Sequence, residues 1–318
     1  MENSDPLKRL LGRANRALGD HEVAEAVKKV RAIVGMQTIP TGEIEAQSAW
    51  DKLRNGDAPS PEELEALEMV IRLLRPVPLS HGGSLDDLPD QREHNLYPQD
   101  LKDQWSHFRN LVRPLLYSIG RVNLKDGTQI GTGFLVADGA LATNRHVLDE
   151  LSFGTEVLAA GGAKVNFQRE DRATDAIEHI VDVAGVLSIH RTLDMVLLAV
   201  PKLGRPVVDI DVEAVSEGHR IAAVGYPAKD EARNPIFTGP IFKNRFGVKR
   251  AAIGEVLDGS KSPNLYHDCS TLGGNSGSPL FSLETGKAVG IHRAGFFMYR
   301  NEAIDGDSLN TFVRGQNG

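Results

Sequence analysis

Three short segments carry residue types that can make and break a covalent bond. In Gly273-Gly274-Asn275-Ser276-Gly277-Ser278-Pro279 a serine sits between glycines, on a tight turn entering the apolar pair Leu280-Phe281. Glycine tolerates positive φ and lets backbone approach a ligand closely, so such a turn exposes a hydroxyl together with backbone N–H groups. A serine hydroxyl is a weak nucleophile; it needs a base, and the base needs a group to orient it. Upstream, Ala142-Thr143-Asn144-Arg145-His146-Val147 offers a histidine. Between the two, Thr192-Leu193-Asp194 places an acid immediately before Met195-Val196-Leu197-Leu198-Ala199-Val200. A carboxylate at the lip of so apolar a strand is costly to bury without a partner, and an imidazole N–H is such a partner. Asp175 and Asp182 are nearby competitors, but neither opens so apolar a strand. Taken singly, Ser276 also fits a plain hairpin turn and His146 an ordinary structural histidine.

The order His146, Asp194, Ser276 resembles that of the trypsin-like (chymotrypsin-fold) serine peptidases. So do the contexts Gly131-Thr132-Gly133-Phe134, Asn144-Arg145-His146-Val147 and Gly290-Ile291-His292-Arg293. The similarity runs over roughly residues 115–313 and is greatest to the bacterial glutamyl-endopeptidase branch. The resemblance implies two six-stranded antiparallel β-barrels with the site in the cleft between them. It implies a serine endopeptidase acting on protein or peptide substrates: Ser276 attacks, His146 moves the proton, Asp194 orients the imidazole. The N–H groups of Gly274 and Ser276 would form the oxyanion hole, worth about 3 kcal/mol per donor. A catalytically silent peptide-binding module, and an esterase or amidase for small molecules, are the rival readings.

The same resemblance assigns a specificity pocket. Ser270, six residues before the nucleophile, would lie at its base, where no carboxylate is present to pair with Lys or Arg. Thr271 and His292 match positions that receive an acidic side chain, so a preference for Glu over Asp before the scissile bond is expected. A small neutral pocket around a buried strand histidine is the alternative. Arg293 either adds positive charge to the pocket or points to solvent. Ala294 and Gly295 would offer a backbone edge to which substrate adds as a strand. Asn275 stands where animal trypsins carry the aspartate that pairs with a newly released N-terminus, so that activation switch is expected to be absent.

The elements that must position these groups change character along the chain. From about residue 115, short apolar or alternating runs separated by turns, such as Val181–Ile189 and Met195–Val200, indicate an antiparallel sandwich or barrel. The first 76 residues read as helices. Asp5-Pro6 starts one, with Leu7, Leu10, Leu11, Ala14 and Leu18 on one face. Asp20 caps a second that ends at Gly35, and Thr41 starts a third that runs to Gly56. Ser60-Pro61-Glu62-Glu63 is a capping box opening a fourth, which Pro76 stops. Residues 77–98 have linker composition, and a further helix is expected over 99–112, leading into or packing on the next domain. The expected architecture is therefore mainly β: a helical bundle over 1–76, a linker over 77–98 and a peptidase domain over 99–318. The bundle is either an adaptor for a partner protein or a folding pro-region. Cleavage between about 76 and 114, at Asp86, Asp87 or Asp90 among others, is expected to alter activity.

Composition narrows the rest. With a formal net charge of -7 over 318 residues the chain has no nucleic-acid footprint. The cluster Lys8, Arg9, Arg13 and Arg16 reads as a solvated helix face, with docking to an acidic partner or a membrane as the rival. Cys269 is the only cysteine, so no intrachain disulfide can form. With no apolar leader visible at the N-terminus, the expectation is a cytoplasmic protein without membrane attachment. No metal or cofactor is expected: HExxH, CxxC and a phosphate-binding glycine loop are all missing, and Asp305-Gly306-Asp307-Ser308 reads as a turn rather than a calcium loop.

Overall fold

The computed structural model describes residues 6–19, 21–34, 42–88, 97–172, 179–230, 235–296 and 300–315. The chain divides into two compact units, a smaller one of Met1–Pro76, Asp87–Asp103 and Glu231–Asn244, and a larger one of Val77–Asp86, Gln104–Asp230 and Arg245–Gly318.

In the smaller unit four helices form where the apolar spacing placed them: α1 (Pro6–Leu18), α2 (Val23–Val34), α3 (Glu43–Asn55) and α4 (Pro61–Leu73). The capping box is present, since Ser60 Oγ accepts from Glu63 N at 3.3 Å and Ser60 N donates to Glu63 Oε2 at 2.6 Å. Gly56 ends α3 in the left-handed conformation, with φ 81°. The bundle buries Ala14, Val27, Trp50, Leu67 and Ile71 among others. It also buries one basic residue expected on a solvated face: Arg13 is paired with Glu68 at 2.6 Å, and Arg72 reaches the same carboxylate at 2.6 Å. Two guanidiniums flanking one carboxylate satisfy it inside the bundle, whereas Lys8 and Arg16 stay exposed. Asp5, Asp20, Gly35 and Thr41, proposed as helix-boundary residues, lie outside the described residues.

Of the stretch expected as linker, residues 77–86 fall in the larger unit. They carry β1 (Ser80–His81) and β2 (Ser84–Leu85). Ala251 N donates to Pro78 O at 3.0 Å and Ser80 N to Lys249 O at 3.0 Å. His81 lies between Asp86 (2.8 Å) and Asp171 (3.2 Å). Asp90 is outside the described residues. Helix α5 (Gln99–Val112) forms as expected, and within the larger unit its Phe108 ring packs on Phe281, centroids 6.1 Å apart. A 3₁₀ turn, Arg113–Ser118, then leads into the first sheet.

That sheet contains β3 (Ile119–Leu124), β4 (Gln129–Ala137), β5 (Ala140–Thr143), β6 (Ala163–Asn166), β7 (Ile180–Asp182), β8 (Gly185–Ile189) and β9 (Val196–Ala199), with α6 (Arg145–Leu151) after β5. Its order is β7-β6-β3-β4-β5-β9-β8. β7 and β8 are one apolar run in the sequence, divided only at Val183-Ala184. There the backbone changes partner: Val183 N donates to Ala163 O (3.0 Å) and Ala184 N to Ala199 O (2.8 Å). Counted as one bent strand, 180–189 touches both ends of the sheet and closes six strands into a barrel. Val122, Leu135, Val147, Val165, Val196 and Leu198 fill its core.

The second sheet is a closed barrel, β10 (Arg220–Gly225), β11 (Arg250–Lys261), β12 (Asn264–His267), β15 (Arg300–Asp305), β14 (Ala288–Phe296) and β13 (Pro279–Ser282). The expected double-barrel architecture after a helical region is thus the one observed. Between β10 and β11 the chain makes helix α7 (Pro235–Phe242), which belongs to the smaller unit. After β15, Asp305 caps α8 (Gly306–Arg314) by accepting from Ser308 N at 2.9 Å, so this acidic turn is a helix start. Among the described residues, no helix is long and apolar enough to cross a membrane.

Candidate functional site

The acid–base pair is assembled where β5 gives way to α6. Asn144 precedes the helix, and its side-chain amide donates to Asp194 O at 2.9 Å instead of capping the helix. This fixes the approach to β9, and the Asp194 carboxylate then spans the first turn of α6. Its Oδ1 accepts from His146 N at 3.0 Å and its Oδ2 lies 2.7 Å from His146 Nδ1. Burial alone would raise the Asp194 pKa. The imidazole hydrogen bond, its charge and the backbone N–H donors outweigh burial and hold the carboxyl below its ordinary value. Of the two competitors, Asp182 is a surface partner of Lys164 (3.3 Å) and Asp175 lies outside the described residues.

The serine turn is held against this pair by backbone. Thr132 N donates to Ser276 O at 2.8 Å, and Thr132 Oγ1 donates to Gly274 O at 2.7 Å. Gly131 makes the close approach possible: a Cβ there would lie 2.8 Å from Val147 Cγ2 and 3.0 Å from Ser276 O. In this conformation no hydrogen bond joins the Ser276 hydroxyl to His146 among the described residues; such contacts often tighten only when substrate binds.

The Gly274 and Ser276 amides donate to no acceptor among the described residues. The carbonyl of Gly273, by contrast, accepts from Ala228 N at 2.7 Å. In a trans peptide the C=O and the following N–H point in opposite directions, so this bond turns the Gly274 N–H the other way. Gly274 itself has φ 85°, and a Cβ there would overlap Gln129 and Tyr226 O at 2.2 and 2.5 Å.

Of the expected pocket residues, Thr271 and Gly295 lie side by side, and His292 lies on the strand next to the serine turn. Strand β13 brings the serine turn beside β14, where Gly277 N donates to His292 O and His292 N to Ser278 O, both at 2.9 Å. The Ser270 and Thr271 hydroxyls are buried with no hydrogen-bond partner. Thr271 Oγ1 is 3.3 Å from where a Cβ on Gly295 would sit, so glycine leaves that wall open. Ala294 and Gly295 are exposed on β14 beyond its pairing with β13. Arg293 falls where the β14–β15 register shifts between His292 and Ala294, and its guanidinium reaches Glu302 (2.8 Å) and Asn264 (3.2 Å).

Sequence reasoning missed His267. Its Nε2 is 3.1 Å from His292 Nδ1, and its Nδ1 accepts from Cys269 N at 3.3 Å. That acceptor role puts the His267 proton on Nε2, which donates to His292 and leaves the His292 proton on Nε2. Burial first, then the nearby His146, push the His292 pKa down to about 3. It is a neutral donor, not a cation. A histidine three residues before Ser270, closing a strand, was the only signal for this pair. Ala228 and Thr132 gave none.

With this geometry established, the chain can be set beside known proteins. A family model of the trypsin-like peptidase domain matches residues 131–291, just over half of the chain. Glutamyl endopeptidase from Staphylococcus aureus strain MW2 is 26% identical over 223 residues, covering 68% of this chain and 62% of that protein. The strain MRSA252 protein is 24% identical over 231 residues, covering 71% and 60%. The chain thus spans about three fifths of the length of the curated relatives it matches. Among solved structures, a serine endoprotease from Yersinia pestis aligns with a TM-score of 0.49 and 18% identity, covering 66% of each chain.

Proposed function

The chain belongs to the trypsin-like peptidase family, and on that premise we propose that it is a serine endopeptidase using Ser276, His146 and Asp194. The observation that carries the reading is the 2.7 Å contact between His146 Nδ1 and Asp194, in the unit that also holds the Ser276 turn. With Nδ1 committed to the carboxylate, Nε2 is the nitrogen left to take the Ser276 proton as Oγ attacks the scissile carbonyl. The carbonyl oxygen becomes an oxyanion that the Gly274 and Ser276 N–H groups receive. The imidazolium, stabilised by Asp194, returns its proton to the departing amine, and water repeats the sequence on the acyl-enzyme. A fluorophosphonate probe tests this directly: labelling of the parent and none of Ser276→Ala is expected. Absence of labelling on the folded parent would favour the silent peptide-binding module, a reading supported by the unmade Ser276–His146 hydrogen bond.

The substrate preference we propose is an acidic residue, Glu over Asp, before the scissile bond. Two buried hydroxyls without partners, Ser270 and Thr271, need a polar occupant, and the His292 proton on Nε2 provides a third, neutral donor. Profiling against a random peptide library tests it, and a preference for Arg, Leu or Phe overturns it. The helical unit is proposed to bind an adaptor or effector partner in the cytoplasm.

A further inference from the structure

Asp194 stands near the end of a short loop, residues 190–195, that joins β8 to β9 where Ile189 faces Val196. The loop is closed by His190 N donating to Met195 O at 3.0 Å, and Met195 N donates to Leu193 O at 2.8 Å. Its sequence, His190-Arg191-Thr192-Leu193-Asp194-Met195, contains neither glycine nor proline, the residues that most often preset a turn. A side chain supplies the constraint instead. His190 Nδ1 accepts from Leu193 N at 2.9 Å and from Thr192 N at 3.2 Å. The imidazole thus serves the backbone N–H groups two and three residues ahead, as an Asn or Asp side chain does in an Asx-turn. That acceptor role places the ring proton on Nε2.

The His190 ring is itself braced. It meets the Phe312 ring edge to face, with centroids 5.3 Å apart and planes at 66°. Phe312 is a buried residue of α8, which packs on β14 and β15 of the second barrel. A residue of the C-terminal helix therefore holds a loop of the first barrel. On the other side of the acid, Asn144 Nδ2 donates to Asp194 O at 2.9 Å and Met195 is buried. Between these two supports the Asp194 carboxylate must meet two donors at once, His146 N at 3.0 Å and His146 Nδ1 at 2.7 Å. A loop that tilts on one support cannot keep both.

We propose that His190 is a positioning residue for the triad acid. Its imidazole gathers the Thr192 and Leu193 N–H groups, Phe312 keeps that imidazole in place, and together they set the angle at which Asp194 meets His146. His190 acts through Asp194 and not on substrate, so its loss should slow the chemical step and leave substrate binding alone. This rests on the serine-peptidase reading and adds to it a residue that the triad motifs do not include.

The test compares three variants of the full chain with the parent, by steady-state kinetics and by fluorophosphonate labelling. His190→Leu keeps apolar bulk but accepts no hydrogen bond. It should lower kcat and the labelling rate tenfold or more, up to the roughly 100-fold that a 1 Å misplacement costs, with KM within about twofold. His190→Asn offers an Oδ1 that can accept from the N–H two residues on, and should bring both rates back to within about threefold of the parent. Phe312→Leu leaves the acceptor in place but frees the ring, and should lower both rates by more than about twofold. Amide exchange in a Ser276→Ala background reads the loop without catalysis: the Leu193 N–H should exchange faster in His190→Leu and as in the parent in His190→Asn. A folded His190→Leu that keeps more than a tenth of the parent rate overturns the proposal. So does an asparagine variant as slow as the leucine one, which would mean that the ring only fills space. A Phe312→Leu rate within twofold of the parent, or a KM that rises as kcat falls, also overturns it. If the parent itself takes no label, the serine-peptidase reading fails; if the parent labels and the variants label alike, only this positioning role does.

Discussion

Replacing His292 with glutamine should remove an acid-sensitive step from the folding stability of the peptidase unit. In the folded protein His292 is buried against His267, and its pKa is pushed from 6.5 down to about 3. In the unfolded chain it titrates near 6.5. Between those values the unfolded state binds a proton that the folded state refuses, so stability falls as pH drops from about 6.5 towards 3. At about 1.4 kcal/mol per pKa unit, the linkage makes the protein about 2 kcal/mol less stable at pH 5 than at pH 7. For a unit of roughly 200 residues that is a Tm lowered by about 4–8 °C. Glutamine has similar length, can accept from His267 Nε2, and does not titrate. The assay is thermal or urea unfolding from pH 7 to 5, in a Ser276→Ala background to prevent autolysis. The Gln variant should lose less stability over this range by about 2 kcal/mol. Equal slopes would refute the reasoning, because they would mean that His292 can take a proton in place.

Other expectations follow from the same geometry. Asp194→Asn should keep the fold while lowering kcat by about 10⁴, because the imidazole loses the acceptor that fixes its tautomer; steady-state kinetics with the probe as active-site titrant measures this. Thr271→Val removes a buried hydroxyl that has no partner, so the free protein should be unchanged or more stable by about 1 kcal/mol in urea unfolding, while kcat/KM for glutamyl substrates falls. Gly131→Ala puts a methyl 2.8 Å from Val147 and 3.0 Å from Ser276 O; it should cost about 1–3 kcal/mol of stability and depress kcat more than KM. Arg293→Ala breaks a partly exposed pair with Glu302 and a hydrogen bond to Asn264, so stability should drop by about 1 kcal/mol or less and acidic preference in peptide profiling should not change.

The proposed chemistry was legible in the sequence because each residue assigned to it lies inside a local pattern. Ser276 needs glycines around it, Asp194 stands at the mouth of an apolar strand, and the helix starts in the N-terminal region follow from capping and apolar spacing that neighbours alone dictate. What local patterns do not encode is which distant strand lies alongside. The bend at Val183-Ala184, which closes the first barrel, depends on two different partner strands offering carbonyls to adjacent residues. Arg13 was read as surface because its own helix is basic; only packing placed Glu68 beneath it. Arg293 was left between pocket and solvent because its neighbours in sequence do not reveal the register shift beside it or its partner Glu302. The His267–His292 relay and the Ala228 brace of Gly273 join segments 25 and 45 residues apart. Hydrogen bonds of that kind are chosen by tertiary proximity, so only the folded chain could decide them.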